Sequence, residues 1–225
     1  MSLKSAKICV MSALLNCYAL LNKERYSMAF ALAPDQENAY PSLITALCAR
    51  DAYTRRHCDR VCALALEVGR AADLSAPSLD DLRIASQLHD VGKIGVRDTV
   101  LSKPGKLTPD EREEIKAHSV IGERIISETF LTNRDEVASI VRHHHEAFDG
   151  SGYPDGLAGA DIPLSSRILS IIDAYDALTT SRPYRMAKSH LETMNILKHE
   201  VDTKFDPNIF LLFTKVIKAS SARAS

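Results

Sequence analysis

A chain of 225 residues with 45% hydrophobic content can bury one good core, which favours one domain with a short extension over two full domains. A formal charge of −1 and a pI near 6.7 exclude a bulk electrostatic drive toward nucleic acid, so any phosphate must be held by particular cations at one place. Cys9, Cys17, Cys48, Cys58 and Cys62 form no CxxC pair, and the odd count fits reduced thiols in a cytoplasmic protein better than a disulfide framework.

The first apolar run, Ile8 to Leu21, is shorter than the ~20 residues a spanning helix needs and contains Asn16, so no membrane crossing is expected. Lys23-Glu24-Arg25 stand between this run and the cleavage-like Ala31-Leu32-Ala33, which argues against a secretory signal. Residues 1–38 read as one or two helices, an extension whose role is not legible: packing, dimerisation to a homodimer, or the remains of a regulatory segment. The main domain is expected over 39–225.

From Pro41 to about Ala72 the pattern is helical, with His57 on one stripe with Val61, Leu64, Ala65 and Val68. A lone inward histidine is more often a satisfied core residue, so His57 matters only if partners converge on it. Pro77-Ser78 opens a further helix, with Ser78 as the expected N-cap and Asp81 three residues on; it runs to Leu88-His89-Asp90, just before Gly92 and Lys93. Adjacent His and Asp can ligate metal, and Lys93 can reach a phosphate.

Thr108-Pro109-Asp110-Glu111 is a capping box with proline at the first helical position. On the helix it starts, His118 shares a side with Ile115, Gly122 and Ile125, and Gly122 removes bulk where something approaches closely. After Asn133, the residues Val137, Ile140, Val141, His144 and His145 form one stripe, while His143 lies about 100° off it and reads as a surface histidine. Four of nine glycines fall between Gly150 and Gly159: this is either a loop whose amides approach an anion or a plain turn.

Beyond Pro163, one helix presents Ile168, Ile171, Ile172 and Tyr175 on one face while Leu169 and Ala177 flank Asp173 on another. Burying Asp173 without a partner is costly, so a metal or a tight hydrogen-bonded partner is expected, whereas Asp176 reads as structural. Arg182-Pro183-Tyr184-Arg185 follows, either phosphate-binding or solvated surface. Helices near Ser189 to Val201 and Pro207 to Ala219 read as packing elements, with His190 and His199 at the surface.

No strand-like alternation of useful length occurs, so the expected fold is all-α: a multi-helix bundle with the metal site in its core. Mixed histidine and aspartate donors suit iron, manganese or zinc better than magnesium or calcium, and their wide spacing argues against a zinc finger.

Together, His89-Asp90 with Gly92-Lys93, His144-His145-Glu146 and Asp149-Gly150-Ser151-Gly152-Tyr153-Pro154 resemble the HD-GYP family. The resemblance runs from the Asp51-x-Tyr-Thr-x-x-His57 opening through Arg182-Pro183-Tyr184 to Phe205-Asp206-Pro207. It implies a metal-dependent phosphodiesterase that linearises cyclic di-GMP to pGpG and in some members to GMP, by attack of a hydroxide held between two metals. It implies His57, His89, Asp90 and Asp173 on one metal, and His118, His144 and His145 on the other, with Asp90 bridging. It also implies Lys93 on the scissile phosphate, Arg182 and Arg185 as a phosphate-binding pair, and Gly152, Tyr153 and Pro154 in a loop facing ligand and partner proteins such as a diguanylate cyclase. Two positions depart or vary: Ala147 stands where the family usually has arginine, and Tyr53 where certain members have a glutamate for a third metal. Tyr53 therefore implies two divalent ions, iron or manganese. The competing readings are a cyclic di-GMP receptor or interaction module with decayed catalysis, and a phosphodiesterase for another cyclic dinucleotide.

Overall fold

The stripe that carries His57 folds as read: Val61, Leu64, Ala65 and Val68 are all buried on one side of a 20-residue helix. The computed structural model describes residues 39–50, 52–181 and 186–224. The expected helices over 1–38 and the Arg182 and Arg185 cations lie outside the described residues, as does the side chain of Tyr53. The segment expected as one helix from Pro41 is two, α1 (Ala39–Arg50) and α2 (Ala52–Ala71).

Helix α3 (Ala76–Leu88) begins one turn earlier than expected, because Ser75 and not Ser78 is its N-cap. Pro77 lacks an amide hydrogen and fits the first turn, so the cap must precede it; Ser78 instead donates its amide to Ser75 Oγ at 3.3 Å. A 3₁₀ turn (Val91–Gly95) and the short α4 (Asp98–Leu101) follow. The capping box forms as expected, with Glu111 N on Thr108 Oγ1 at 3.3 Å and Thr108 N on Glu111 Oε2 at 2.7 Å. The helix it opens stops at Lys116, and a separate helix starts at His118, giving α5 (Pro109–Lys116) and α6 (His118–Ser127). At the break the His118 ring meets the Ile115 carbonyl at 2.6 Å.

The remaining helices are α7 (Arg134–His143), α8 (Leu164–Thr179), α9 (His190–His199) and α10 (Pro207–Ala219). Helix α2 packs on α3 and α8, α6 on α7 and the 3₁₀ turn, and α9 and α10 close the outer side. Leu82 and Leu88 of α3, Val137 and Val141 of α7, Ile168, Ile171 and Ile172 of α8, and Leu197 and Phe213 fill the common core. Each such side chain contributes roughly 1.5–3 kcal/mol by leaving water. Among the described residues there are only two isolated β-bridges, Asp149 with Ala158 and Val201 with Phe205, so the fold is all-α as expected. Among them, too, no helix is long and apolar enough to cross a membrane. Cys58 and Cys62 are buried.

Two glycines let the 3₁₀ turn lie directly on α6. A β-carbon at Gly92 would fall on the His118 carbonyl oxygen and 2.6 Å from Gly122 N, so both backbones meet without side chains between them. This is the close approach expected at Gly122, and it sets Asp90 beside His118.

Candidate metal centre

The ends of α3 and α7, the start of α6, the second turn of α2 and the middle of α8 deliver the donors to one place. His57, His89 and Asp90 offer ligand atoms within 4.8 Å of one another, and so do His118, His144 and His145. Asp90 joins the two groups, since its Oδ2 lies 3.7 Å from His89 Nε2 and its Oδ1 lies 3.7 Å from His118 Nε2. Asp173 Oδ1 stands 3.3 Å from His57 Nε2 and 3.9 Å from His89 Nε2. All seven residues expected as ligands therefore converge, and His57 finds the partners that lift it above a core histidine. His57, His89, His118 and His144 are almost wholly buried, whereas Asp173 keeps 21% of its side chain exposed.

The rings are aimed by their second nitrogens. His89 Nδ1 donates to the Ser86 carbonyl at 2.9 Å, His118 Nδ1 to Ile115 at 2.6 Å and His144 Nδ1 to Val141 at 2.6 Å, each three residues back. His57 Nδ1 instead meets the Asp176 carboxylate at 2.7 Å. The Nε2 atoms thus face inward, with those of His57 and His89 3.2 Å apart and those of His118 and His144 3.5 Å apart. Nitrogen lone pairs so close repel unless they share a proton or a cation, and a set of imidazoles with carboxylates fits a borderline divalent metal.

The electrostatics agree. Burial lowers the His57 pKa, but the hydrogen bonds it donates to Asp173 and Asp176 outweigh this and raise the group to about 9, a proton standing where the pocket's negative charge calls for a cation. Burial also pushes His118 down, His144 well down and His145 to about 3, so these three rings are neutral and ready to donate. Burial would raise Asp90, yet the Lys93 ammonium and then the His89 and His118 rings hold it well below the usual carboxylate range. Lys93 Nζ lies 2.6 Å from Asp90 Oδ2. Asp173 is held low too, with burial outweighed by its hydrogen bond to His57.

The glycine-rich loop folds back on the centre. Gly152 packs backbone against backbone: a β-carbon there would strike Ala147 N and lie 2.5 Å from Glu146 Cα. The small Ala147 is itself buried at this contact. Tyr153 N then donates to the His145 carbonyl at 3.2 Å, and the Tyr153 ring covers the His145 ring at 5.0 Å. The Tyr153–Pro154 bond is cis. Asp155 completes the return by accepting Arg142 Nε at 2.6 Å and Arg142 Nη2 at 2.8 Å, while its amide donates to Glu146 Oε1 at 2.8 Å. His143, read as a surface residue, is half-buried and meets Asp155 at 3.0 Å. His143, Glu146 and Asp155 could hold a cation by spacing, but Arg142 already supplies the positive charge on Asp155. His190, also read as surface, is half-buried with Nδ1 2.9 Å from Tyr175 OH; His199 is exposed as expected. Sequence reasoning missed Arg60, Arg142 and Asp155, whose partners are brought to them only by the tertiary fold.

Imidazoles and carboxylates drawn from five elements into the middle of a helical bundle define a metal-dependent helical domain. A family model described as an HD domain matches residues 41–209. A curated cyclic di-GMP phosphodiesterase of Thermotoga maritima is 37% identical over 169 residues, covering 75% of this chain and 46% of that protein. A 3'3'-cGAMP-specific phosphodiesterase 3 of Vibrio cholerae is 36% identical over 169 residues, covering 75% of this chain and 36% of that protein. Among solved structures, an HDG"Y"P protein from Bdellovibrio bacteriovorus shares the fold with a TM-score of 0.59 at 20% identity, over 74% of this chain and 53% of that one. The chain belongs to the HD-domain family. It spans less than half the length of these two curated relatives.

Proposed function

We propose that residues 39–225 form an HD-GYP phosphodiesterase domain that opens cyclic di-GMP to pGpG, with GMP as the product of a second cleavage, and that residues 1–38 are a separate extension. The observation that carries this is Asp90 turning one oxygen toward each of two donor groups. In this reading His57, His89, Asp90 and Asp173 hold one divalent ion, and His118, His144 and His145 with Asp90 hold another. Mixed nitrogen and oxygen donors favour iron or manganese over magnesium. When bound, such a pair supplies Lewis-acid stabilisation of charge on phosphoryl oxygens and lowers the pKa of water.

The chain's own residues do the rest. Lys93, 30% exposed beside Asp90, adds a cation where charge grows on the scissile phosphate. Arg182 and Arg185 hold phosphate in the ground state, and Tyr153 shields His145 from water. The exposed Ser151, Asp155 and Gly156 of the same loop offer a surface for a signalling partner such as a diguanylate cyclase. A cytoplasmic setting, where cyclic dinucleotides are made, and a homodimer belong to the same proposal; light scattering tests the latter.

The relative named for 3'3'-cGAMP supports a second substrate reading, because the centre engages a phosphodiester and not a base. The test is anaerobic reconstitution of the full chain with iron or manganese, followed by chromatography of cyclic di-GMP and 3'3'-cGAMP digests. Linear product is expected from cyclic di-GMP, and Asp90→Ala should abolish it with loss of metal. Bound but uncleaved nucleotide in metal-loaded protein would leave a receptor instead of an enzyme.

A further inference from the structure

His57 differs from the other oriented rings of the centre in what holds its second nitrogen. The Nδ1 atoms of His89, His118 and His144 rest on neutral backbone carbonyls. His57 Nδ1 rests on Asp176, a carboxylate only 6% exposed. Arg60 fixes that carboxylate from behind, with Nε on Oδ1 at 2.6 Å and Nη2 on Oδ2 at 2.9 Å, and Nη2 also reaches Thr180 Oγ1 at 3.1 Å. A carboxylate behind a ligating imidazole fixes its tautomer and makes the facing nitrogen a stronger donor than a carbonyl does.

The carboxylates are distributed in the same sense. Asp173 contacts His57 and His89, with its charge also reaching His145, and Asp176 stands behind His57, whereas the carboxylate contact of His118 is to the shared Asp90. The Arg60 guanidinium lies one bond further back, beyond Asp176. We infer that Asp176 is a positioning residue that makes the His57, His89, Asp90 and Asp173 half the tighter cation site, filled first, and leaves the three-histidine half weaker and exchangeable. The inference rests on the two-cation reading proposed above.

The experiment titrates chelator-stripped full chain with Mn²⁺, by calorimetry for the binding constants and by electron paramagnetic resonance to separate a lone ion from a coupled pair. Two equivalents at least tenfold apart are expected, with a lone-ion signal after the first. His118→Ala should keep the tight equivalent and His57→Ala should lose it. Asp176→Asn, which retains an acceptor for Nδ1 and removes the charge, should weaken the tight equivalent about 10-fold or more and leave the weaker one unmoved. Arg60→Met keeps the Asp176 to His57 bond and should leave the tight equivalent unchanged, which a merely structural role through the ion pair would not. Equal equivalents in the native chain, an unmoved tight constant in Asp176→Asn, or an equal loss in Arg60→Met would each overturn the inference. Failure of the native chain to bind Mn²⁺ at all would instead overturn the two-cation reading beneath it.

Discussion

Replacing Gly92 by alanine tests whether the close seating of the 3₁₀ turn on α6 builds the bridge between the two donor groups. The added β-carbon would land on the His118 carbonyl oxygen, 2.6 Å from Gly122 N and 2.7 Å from His118 C. Carbon contacts settle at about 3.5 Å, so the two backbones must part by roughly 0.8 Å or more, and no rotamer change can relieve main-chain atoms. Overpacking of this kind costs about 1–3 kcal/mol, or some 2–12 °C of melting temperature in a chain of this size. The same displacement separates Asp90 from His118, and a misplacement near 1 Å typically costs about 10²-fold in turnover. Urea denaturation, metal content and phosphodiesterase rate measure the three effects. Gly122→Ala is the control, because its β-carbon meets the movable Val141 Cγ1 at 2.9 Å and Gly92 N only at 3.4 Å. Native stability and metal content in Gly92→Ala, or a larger loss in Gly122→Ala, would refute the argument.

Other outcomes follow from the same geometry. Lys93→Ala should lower kcat by about 10²-fold with metal content unchanged, and near-normal turnover would remove Lys93 from the chemistry. Arg182→Ala and Arg185→Ala should mainly raise KM, so a collapse of kcat at constant KM would assign them elsewhere. Anomalous scattering from metal-replete crystals should find two ions per chain; a single ion, or three, would contradict the donor count. Hydrogen bonds from Arg142 hold Asp155 at about 2, against slight burial and with help from His143. A depressed carboxylate stabilises the fold fully above its usual value of 3.8 and loses that contribution as pH falls through about 2. The urea midpoints of the native chain and Asp155→Asn should therefore differ at about pH 5 and converge only below about pH 2, and a constant gap would refute the link.

Helical periodicity made His57, His118 and His144 legible as inward residues, because each continues an apolar stripe that the core then buries. What periodicity could not reach is pairing across the chain. Arg60 and Asp176 stand 116 residues apart in sequence, so the ion pair behind His57 is visible only once α2 and α8 are side by side. The same holds for His143, whose angle off the ligand stripe was readable but whose cover by Asp155 required knowing where the loop returns. Capping chemistry was legible at Thr108 and misplaced at Ser75, where two serines flank one proline. No proline or glycine marks the break at Ala117; there the His118 ring meets the Ile115 carbonyl, a local side-chain contact that periodicity does not encode.

Three helices end at this centre. Helix α3 stops at Leu88, α5 at Lys116 and α7 at His143, and His89, His118 and His144 come within two residues of those ends. A helix terminates with its carbonyl ends outward, equivalent to roughly half a negative charge when long and less when short. The N-terminus of α6 at His118 and that of the 3₁₀ turn at Val91 bring positive partial charge to the same place, so the negative sign of the pocket rests on Asp90 and Asp173. An anionic phosphodiester gains nothing by entering such a pocket until cations have reversed its sign. Under the proposed function, metal loading is then a condition of substrate capture as well as of cleavage.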